Sequence, residues 1–293
     1  MFARAAASVL ASGLDHPVGG GSARRTAGVS AEQLRCMMLW LTGASSAIVF
    51  IEPSPYEIVS CLALVLFVIG GLTLSPGLMP LGILLILINI GYSISGWTVI
   101  EAPGVVAWLS TSWYLALTAL FFAAMLGVNT QARLNALARG CVVGGLIASM
   151  AAIIGYSRVV PSLNELLLLY DRARGTFKDP NVLGAYLIFP TLLALQPVFS
   201  GRLREAAKGT MLLGLLVPAI LLSFSRAAWG QILYTAVVML GLTFLTTRSP
   251  SHRLRIVLLS VTGAMLMVGF IGALLSIDIV ADLFKQRASL EQS

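Results

Sequence analysis

Charged residues are scarce in this sequence. Asp, Glu, Lys and Arg make up only 11% of its 293 residues, and the mean hydropathy is +0.92. A soluble domain carries about 25% charged residues, so this composition excludes a water-soluble globular protein. The charges lie in short clusters between apolar runs that are too long for core strands. The sequence therefore predicts an all-α fold, a polytopic bundle of transmembrane helices in contact with membrane lipids.

Cysteine and histidine are also scarce, with three and two residues respectively. Cys36, Cys61 and Cys141 lie inside or beside apolar runs, without the C-x-x-C or Cys/His spacing of a metal or redox site. We expect small buried thiols, no disulfide and no bound metal ion. The sequence also lacks Walker A, G-x-G-x-x-G, H-E-x-x-H and G-x-S-x-G motifs.

The net charge of +7 would favour nucleic-acid binding in a soluble protein. In a membrane protein the basic residues first have to be assigned to the loops on either side of the bilayer. We therefore expect no nucleic-acid partner.

Nine apolar runs approach the length of about 20 residues that a helix needs to cross a bilayer. The predicted transmembrane domain covers residues 34–276. Residues 1–33 are rich in Ala, Gly and Ser and lack the continuous apolar segment of a signal peptide, so we expect a disordered cytoplasmic tail. Residues 277–293 are expected to begin a periplasmic segment. The nine runs are 36–51, 57–74, 78–95, 105–127, 136–156, 181–199, 209–224, 226–247 and 255–276.

The basic residues predict the orientation. With the N-terminus inside, 12 of the 19 Lys and Arg residues fall on the cytoplasmic side, and 9 of the 12 acidic residues fall outside. This distribution follows the positive-inside rule. Bases that remain outside against the rule are better functional candidates than the others. These seven are Arg158, Arg172, Arg174, Lys178, Arg226, Lys285 and Arg287.

The longest connection between predicted spans covers residues 157–180 on the outer side. Leu163, Leu166, Leu167 and Tyr170 recur there at helical spacing. This pattern predicts a short amphipathic helix that lies on the membrane surface and docks against the bundle.

A dense charged motif follows in the same connection. Arginine forks and the free amides of a helix N-terminus both bind phosphate oxygens. Arg172, Arg174 and Lys178 are therefore candidate ligands of a pyrophosphate, in front of a helix that Asp179 or Asn181 caps. The alternative is a solvated loop whose basic and acidic residues nearly cancel.

The second motif is SFSRAAWG, at residues 223–230. About 15 residues separate it from Lys208, which is short for a span, so we expect Arg226 at a tight turn inside a cavity of the bundle. An intramembrane arginine is a functional candidate, and the alternative is a side chain that extends to the membrane surface.

Two other features are expected to be structural. Asn89 in the third predicted span is expected to form an interhelical hydrogen bond. The glycines Gly140, Gly144 and Gly145 are expected to allow close packing of helices within one chain.

The run RARGTFKDPN at residues 172–181, followed by SFSRAAWG at the next outer turn, resembles the O-antigen ligase and polysaccharide polymerase superfamily. The resemblance implies an enzyme of the bacterial inner membrane without metal or nucleotide cofactor. Such an enzyme transfers a glycan from undecaprenyl pyrophosphate to a lipid A core or a growing polysaccharide on the periplasmic face. Arg172 and Arg226 match the arginines that bind the donor pyrophosphate in that family, and Arg174 is an additional base.

The resemblance also implies a large periplasmic loop with a histidine that activates the acceptor, and the sequence stops where that loop would begin. No catalytic residue is therefore assigned. The alternatives are a flippase or transporter of lipid-linked glycans, for which internal repeats would be typical and none is evident, and a noncatalytic membrane protein.

Overall fold

The computed structural model describes residues 30–199 and 202–275. This part of the chain is mostly helical, and its β structure is limited to one short hairpin, which confirms the predicted all-α class. The elements are α1 (Ala31–Ser45), α2 (Pro55–Ile69), α3 (Met79–Trp97), α4 (Val105–Leu126), α5 (Thr130–Ser157), α6 (Pro161–Leu167), β1 (Leu168–Leu169), β2 (Arg172–Ala173), α7 (Pro180–Val198), α8 (Leu203–Leu222), α9 (Arg226–Thr246) and α10 (Pro250–Leu275).

Six helical segments of the described chain are long and apolar enough to cross a membrane. They are Pro76–Trp97, which includes α3, and the helices α4, α5, α7, α8 and α9. The protein is therefore a multi-pass membrane protein. A helix occupies each of the nine predicted runs, but α1 and α2 have only 15 residues each. The count of nine spans and the orientation stay predictions.

Side-chain caps determine where α1 and α2 begin. The Ser30 hydroxyl accepts a hydrogen bond from the Gln33 amide at 3.2 Å, and the Ser54 hydroxyl accepts one from the Glu57 amide at 3.3 Å. The Gln33 and Glu57 side chains each accept a bond from the backbone of the capping serine, which completes two capping boxes.

The predicted tail ends too late, because α1 already begins at Ala31. Residues 1–29 of that tail, the predicted segment 277–293 and its bases Lys285 and Arg287 lie outside the described residues.

The centre of the bundle is α5, against which α1, α7 and α8 pack. Glycines permit the closest approach: a Cβ on Gly140 of α5 would lie 2.1 Å from the Trp40 carbonyl oxygen, and one on Gly43 of α1 would lie 2.5 Å from the Leu137 carbonyl oxygen. No side chain fits at such distances. The prediction that this glycine motif packs helices within one chain is confirmed.

The first turn of α5 holds an ion pair whose arginine is buried. The Arg133 side chain is 5% exposed and donates to both carboxylate oxygens of Glu32 in α1, at 2.7 and 2.8 Å. A third bond runs to the Met125 carbonyl oxygen at 2.7 Å, and the guanidinium lies 5.1 Å from the centre of the Phe67 ring. Arg133 therefore joins α1, α2 and the end of α4 to α5.

The helices α3 and α4 form a pair that packs mainly on itself. Asn89 is buried and accepts a hydrogen bond from the Ser112 hydroxyl at 2.8 Å, and Trp113 Nε1 donates to the Ser93 hydroxyl at 3.1 Å. The prediction of an interhelical hydrogen bond at Asn89 is confirmed. The remaining surface of the pair is exposed and apolar, as a surface in contact with lipid tails must be.

The surface helix in the connection after α5 is shorter than predicted. The surface helix α6 ends at Leu167, so Tyr170 lies beyond it in a hairpin turn. Leu167 is buried, whereas Leu163 and Leu166 are 36% and 40% exposed. The segment therefore meets the bundle, but the predicted four-residue stripe is wrong.

Candidate functional site

A tight β-hairpin lies at the end of the bundle where α5 ends. We call this region, residues 157–181 and 223–230, the hairpin end. The strands are antiparallel, with Leu169 opposite Arg172. The residues between them, Tyr170 and Asp171, have φ angles of +51° and +57°. Two successive left-handed residues form a type I′ turn, whose twist matches that of a two-residue hairpin.

The hairpin directs Arg172 into the protein, where the residue is only 6% exposed. Its Nε donates to the Ser223 carbonyl oxygen at 2.9 Å, and its Nη2 donates to Asn181 Oδ1 at 2.8 Å. One guanidinium thereby connects β2, the first turn of α7 and the turn between α8 and α9. The two sequence motifs, 51 residues apart, meet at this side chain.

The α8–α9 turn is compact and fully packed. Phe224 adopts a left-handed φ of +49°, and Ser225 caps α9 by accepting a hydrogen bond from the Ala228 amide at 3.3 Å. Gly184 of α7 lies against this turn, since a Cβ there would be 2.7 Å from the Ala228 Cβ and 2.9 Å from the Ser223 hydroxyl oxygen. The position of the turn thus depends on a glycine of the neighbouring helix.

Arg226 is the first residue of α9 and is exposed. It makes no hydrogen bond, ion pair or ring contact with any residue in the described part of the chain. The expected tight turn is therefore present, but the expected enclosure in a cavity of the bundle is wrong. The expected short span is wrong as well, because α8 begins at Leu203 and has 20 residues.

The other two predicted ligands also have partners within the protein. Arg174 donates to the Leu166 and Glu165 carbonyl oxygens, at 3.1 and 2.8 Å, and so attaches β2 to α6. Lys178 forms an ion pair with Glu52 in the α1–α2 connection. Both side chains of this pair are more than half exposed, so water weakens their attraction.

Residues between Arg174 and Lys178 anchor the segment to the bundle. Gly175 has a φ of +54°, and a Cβ on it would lie 2.8 Å from the Ala148 carbonyl oxygen. The Thr176 hydroxyl donates to the Ala47 carbonyl oxygen, and the Phe177 ring lies 4.9 Å from that of Tyr186. The Gly-Thr-Phe part of the first motif therefore has a structural role.

The sequence did not indicate an aromatic cluster around Phe224 of the α8–α9 turn. The Phe224 ring lies 6.2 Å from Tyr156 and 6.1 Å from Trp229. The Tyr156 hydroxyl is buried without a hydrogen-bond partner among the described residues. No sequence pattern indicated these contacts, because they join α5, the α8–α9 turn and α9, and depend on the left-handed φ of Phe224.

Asp179 is the cap of α7, as expected, and accepts from the Asn181 amide at 2.6 Å. Asn181 was an alternative cap, but its side chain instead accepts the bond from Arg172. Residues 30–199 and 202–275 contain no group of three or more His, Cys, Asp or Glu side chains that could hold a metal ion.

Comparison of the chain with protein-family models, curated proteins and solved structures finds no match.

Proposed function

We propose that this protein binds the pyrophosphate of an undecaprenyl-linked glycan at its hairpin end. Its activity would be that of a glycosyltransferase of the O-antigen ligase type, in the bacterial inner membrane. The acceptor would be a lipid A core or a growing polysaccharide. In the predicted orientation, with nine spans and the N-terminus inside, the hairpin end faces the periplasm.

One observation carries the proposal: Arg172 joins the two motifs on which the resemblance rests, and does so next to an exposed arginine. Arg172 contacts the backbone of Ser223, and Arg226 follows that turn directly. The bond brings the two motifs together at one end of the bundle, although 51 residues separate them.

The two arginines would have different roles. Arg226 lies in the first turn of α9, where Ser225 already caps the Ala228 amide. It offers a pyrophosphate a charged fork at the positive end of the helix dipole. Arg172 is buried and bonded to the turn and to Asn181, so its role is to hold the positive charge in place before the ligand arrives. Such preorganisation favours the charge that develops on a departing pyrophosphate.

Arg174 and Lys178 would contribute at the edge of this site. The ion pair of Lys178 with Glu52 is exposed and can exchange for a phosphate contact at small cost. Arg174 is held by backbone carbonyls, which leave its positive charge uncompensated. Arg174 therefore adds to the positive charge of the hairpin end, and Lys178 does so when its pair with Glu52 opens.

The proposal concerns donor binding, because the described hairpin end contains no histidine. His252 lies in the first turn of α10, at the opposite end of the bundle from Arg226. A general base for the acceptor hydroxyl has to come from another group.

The test measures binding of undecaprenyl pyrophosphate to the full chain in lipid nanodiscs. Loss of one charge-assisted contact should weaken binding about tenfold to a hundredfold in Arg226→Ala. Arg226→Lys should recover part of the loss, since a point charge remains without the bidentate fork. Arg202→Ala, which removes an exposed arginine before α8, serves as the matched control.

Unchanged binding in Arg226→Ala, at wild-type membrane levels, would contradict the proposal and favour a noncatalytic protein. Translocation of the carrier across proteoliposomes that depends on Arg226 would instead favour a flippase.

A further inference from the structure

Tyr170 occupies a position that suits tyrosine poorly. Its φ is +51°, in the first of two left-handed turn positions where Asn, Asp or Gly is preferred. The residue is 82% exposed, and its ring has no partner in the described chain. The fold thus gains no packing from an aromatic side chain that its backbone conformation disfavours. Strain of this kind points to a function of the side chain.

The hairpin presents this ring rigidly. On the strand that follows the turn, Ala173 is fully buried, Arg172 is bonded to Ser223 and Asn181, and Arg174 is bonded to α6. A side chain on so short and well anchored a turn keeps its place, which reduces the entropy lost when a ligand binds.

Polar groups lie next to the ring. Asp171, the other turn residue, forms an ion pair with Arg158 at 2.6 Å, and these side chains are 62% and 51% exposed. The carboxylate keeps free lone pairs and the guanidinium keeps free N–H groups, because a single contact joins them.

From these observations we infer that Tyr170, Asp171 and Arg158 form a sugar-binding tip. A pyranose ring has an apolar face of C–H groups and a rim of hydroxyls. Tyr170 would pack on the apolar face, and the Asp171–Arg158 pair would bind the hydroxyls.

The position of the tip identifies which sugar it contacts. This step rests on the proposed function. Tyr170 is two residues from Arg172, at most about 7 Å along an extended chain. The Arg172 Nε in turn lies 2.9 Å from the carbonyl oxygen of Ser223, three residues before Arg226. A sugar on undecaprenyl pyrophosphate is bonded directly to the outer phosphate. The tip therefore contacts the first sugar of the donor while Arg226 contacts the pyrophosphate.

The experiment compares two probes on the full chain in nanodiscs: undecaprenyl pyrophosphate, and the same lipid with one N-acetylglucosamine. Tyr170→Asn is the decisive variant, because asparagine fits the left-handed turn better than tyrosine and weaker binding would not reflect a damaged hairpin. It should weaken binding of the sugar-bearing lipid about three- to tenfold and leave the sugar-free lipid unaffected. Tyr170→Phe should keep the sugar contribution.

Tyr234→Ala is the matched control, since Tyr234 is 69% exposed on α9 and lies about two helical turns after Arg226. An equal sugar contribution in wild type and Tyr170→Asn would overturn the sugar-binding tip, and Tyr170 would then be an aromatic anchor at the membrane interface.

A second arm separates this inference from the proposed function. Saturation-transfer NMR with free chitotetraose should show transfer from the wild-type protein that Tyr170→Asn abolishes. If the sugar-free lipid fails to bind while this transfer persists, the pyrophosphate site is wrong and the tip stands. If transfer and the sugar contribution are both absent, the tip is wrong whatever the sugar-free lipid does.

Discussion

Arg172 and Ser223 are 51 residues apart in sequence, and the Arg172 Nε lies 2.9 Å from the Ser223 carbonyl oxygen. The bond crosses from the hairpin to the α8–α9 turn and is buried on both sides. The position of Arg226 therefore depends on both segments, because neither the turn nor the hairpin can shift without breaking this bond.

Stability should therefore depend on Arg172 and not on Arg226. Arg172→Ala removes two charge-assisted bonds and leaves the buried Ser223 carbonyl unpaired, so we expect a loss of about 2 to 4 kcal/mol in the free energy of unfolding. Arg226→Ala should change that free energy by less than about 0.5 kcal/mol. Denaturation of both variants in the same detergent checks this, and equal stability would contradict the bridging role of Arg172.

Gly175→Ala should destabilise the protein more than Gly104→Ala. Both glycines have left-handed φ angles, +54° and +87°, so alanine costs about 1 kcal/mol of backbone strain at either. A Cβ at 175 would also lie 2.8 Å from the Ala148 carbonyl oxygen, whereas a Cβ at 104 meets no atom within 4 Å. We expect a further cost of about 1 to 3 kcal/mol at 175 alone, measured by thermal unfolding. Equal melting temperatures in the two variants would mean that the segment after the hairpin does not pack on α5.

The Glu32–Arg133 pair predicts an acid-sensitive contribution to stability. Glu32 precedes the predicted first span, and its hydrogen bonds from Arg133 lower the pKa of its carboxyl from 4.5 to about 2. A carboxyl with a lowered folded-state pKa stabilises the fold fully above its unfolded value. That contribution is lost as the pH falls from about 4.5 towards 2.

We therefore expect wild type to be more stable than Glu32→Gln near neutral pH, with a difference that shrinks through this range. Urea or thermal denaturation at several pH values measures it. A difference that stays constant down to pH 2 would show that the carboxylate charge is not what stabilises the pair. Glu101→Gln controls for general effects of acid, since Glu101 is exposed in the connection between α3 and α4.

The orientation predicts opposite labelling of two single cysteines. Arg204 lies in a basic cluster at the start of α8, which the positive-inside rule assigns to the cytoplasm, and Tyr170 lies at the other end of the bundle. In a variant without the three native cysteines, a membrane-impermeant maleimide should label Tyr170→Cys in intact cells and Arg204→Cys only after permeabilisation. The reverse pattern would invert the topology.

Helix positions were largely predictable from the sequence because they depend on local composition. Apolar runs bounded by polar residues indicate where a bilayer-spanning helix fits, and Asp179 with Pro180 marked the start of α7 correctly. Errors arose where a polar residue belongs to a helix, as at the start of α8. A search for apolar runs alone cannot detect a first helical turn made of polar residues.

The candidate site was less predictable because its contacts are long-range. The sequence indicated Arg172 and Arg226 through charge that opposes the positive-inside rule. It did not indicate that Arg172 is buried, that Arg226 is exposed, or that Tyr170 is in a turn. These outcomes depend on which segments pack together, and in particular on Gly184 admitting the α8–α9 turn and on the left-handed residues of the hairpin.

The bond between Asn89 and Ser112 bears on how the chain enters the bilayer during synthesis. A lone asparagine amide is costly in hydrocarbon, because nothing there can hydrogen-bond to it. The Asn89 amide nitrogen donates to the Leu85 carbonyl oxygen in its own helix, and its oxygen accepts from Ser112 in the next. The nitrogen and the oxygen of the amide therefore both have a partner once α4 has left the ribosome. We expect α3 and α4 to move together from the translocon into lipid without waiting for any later helix.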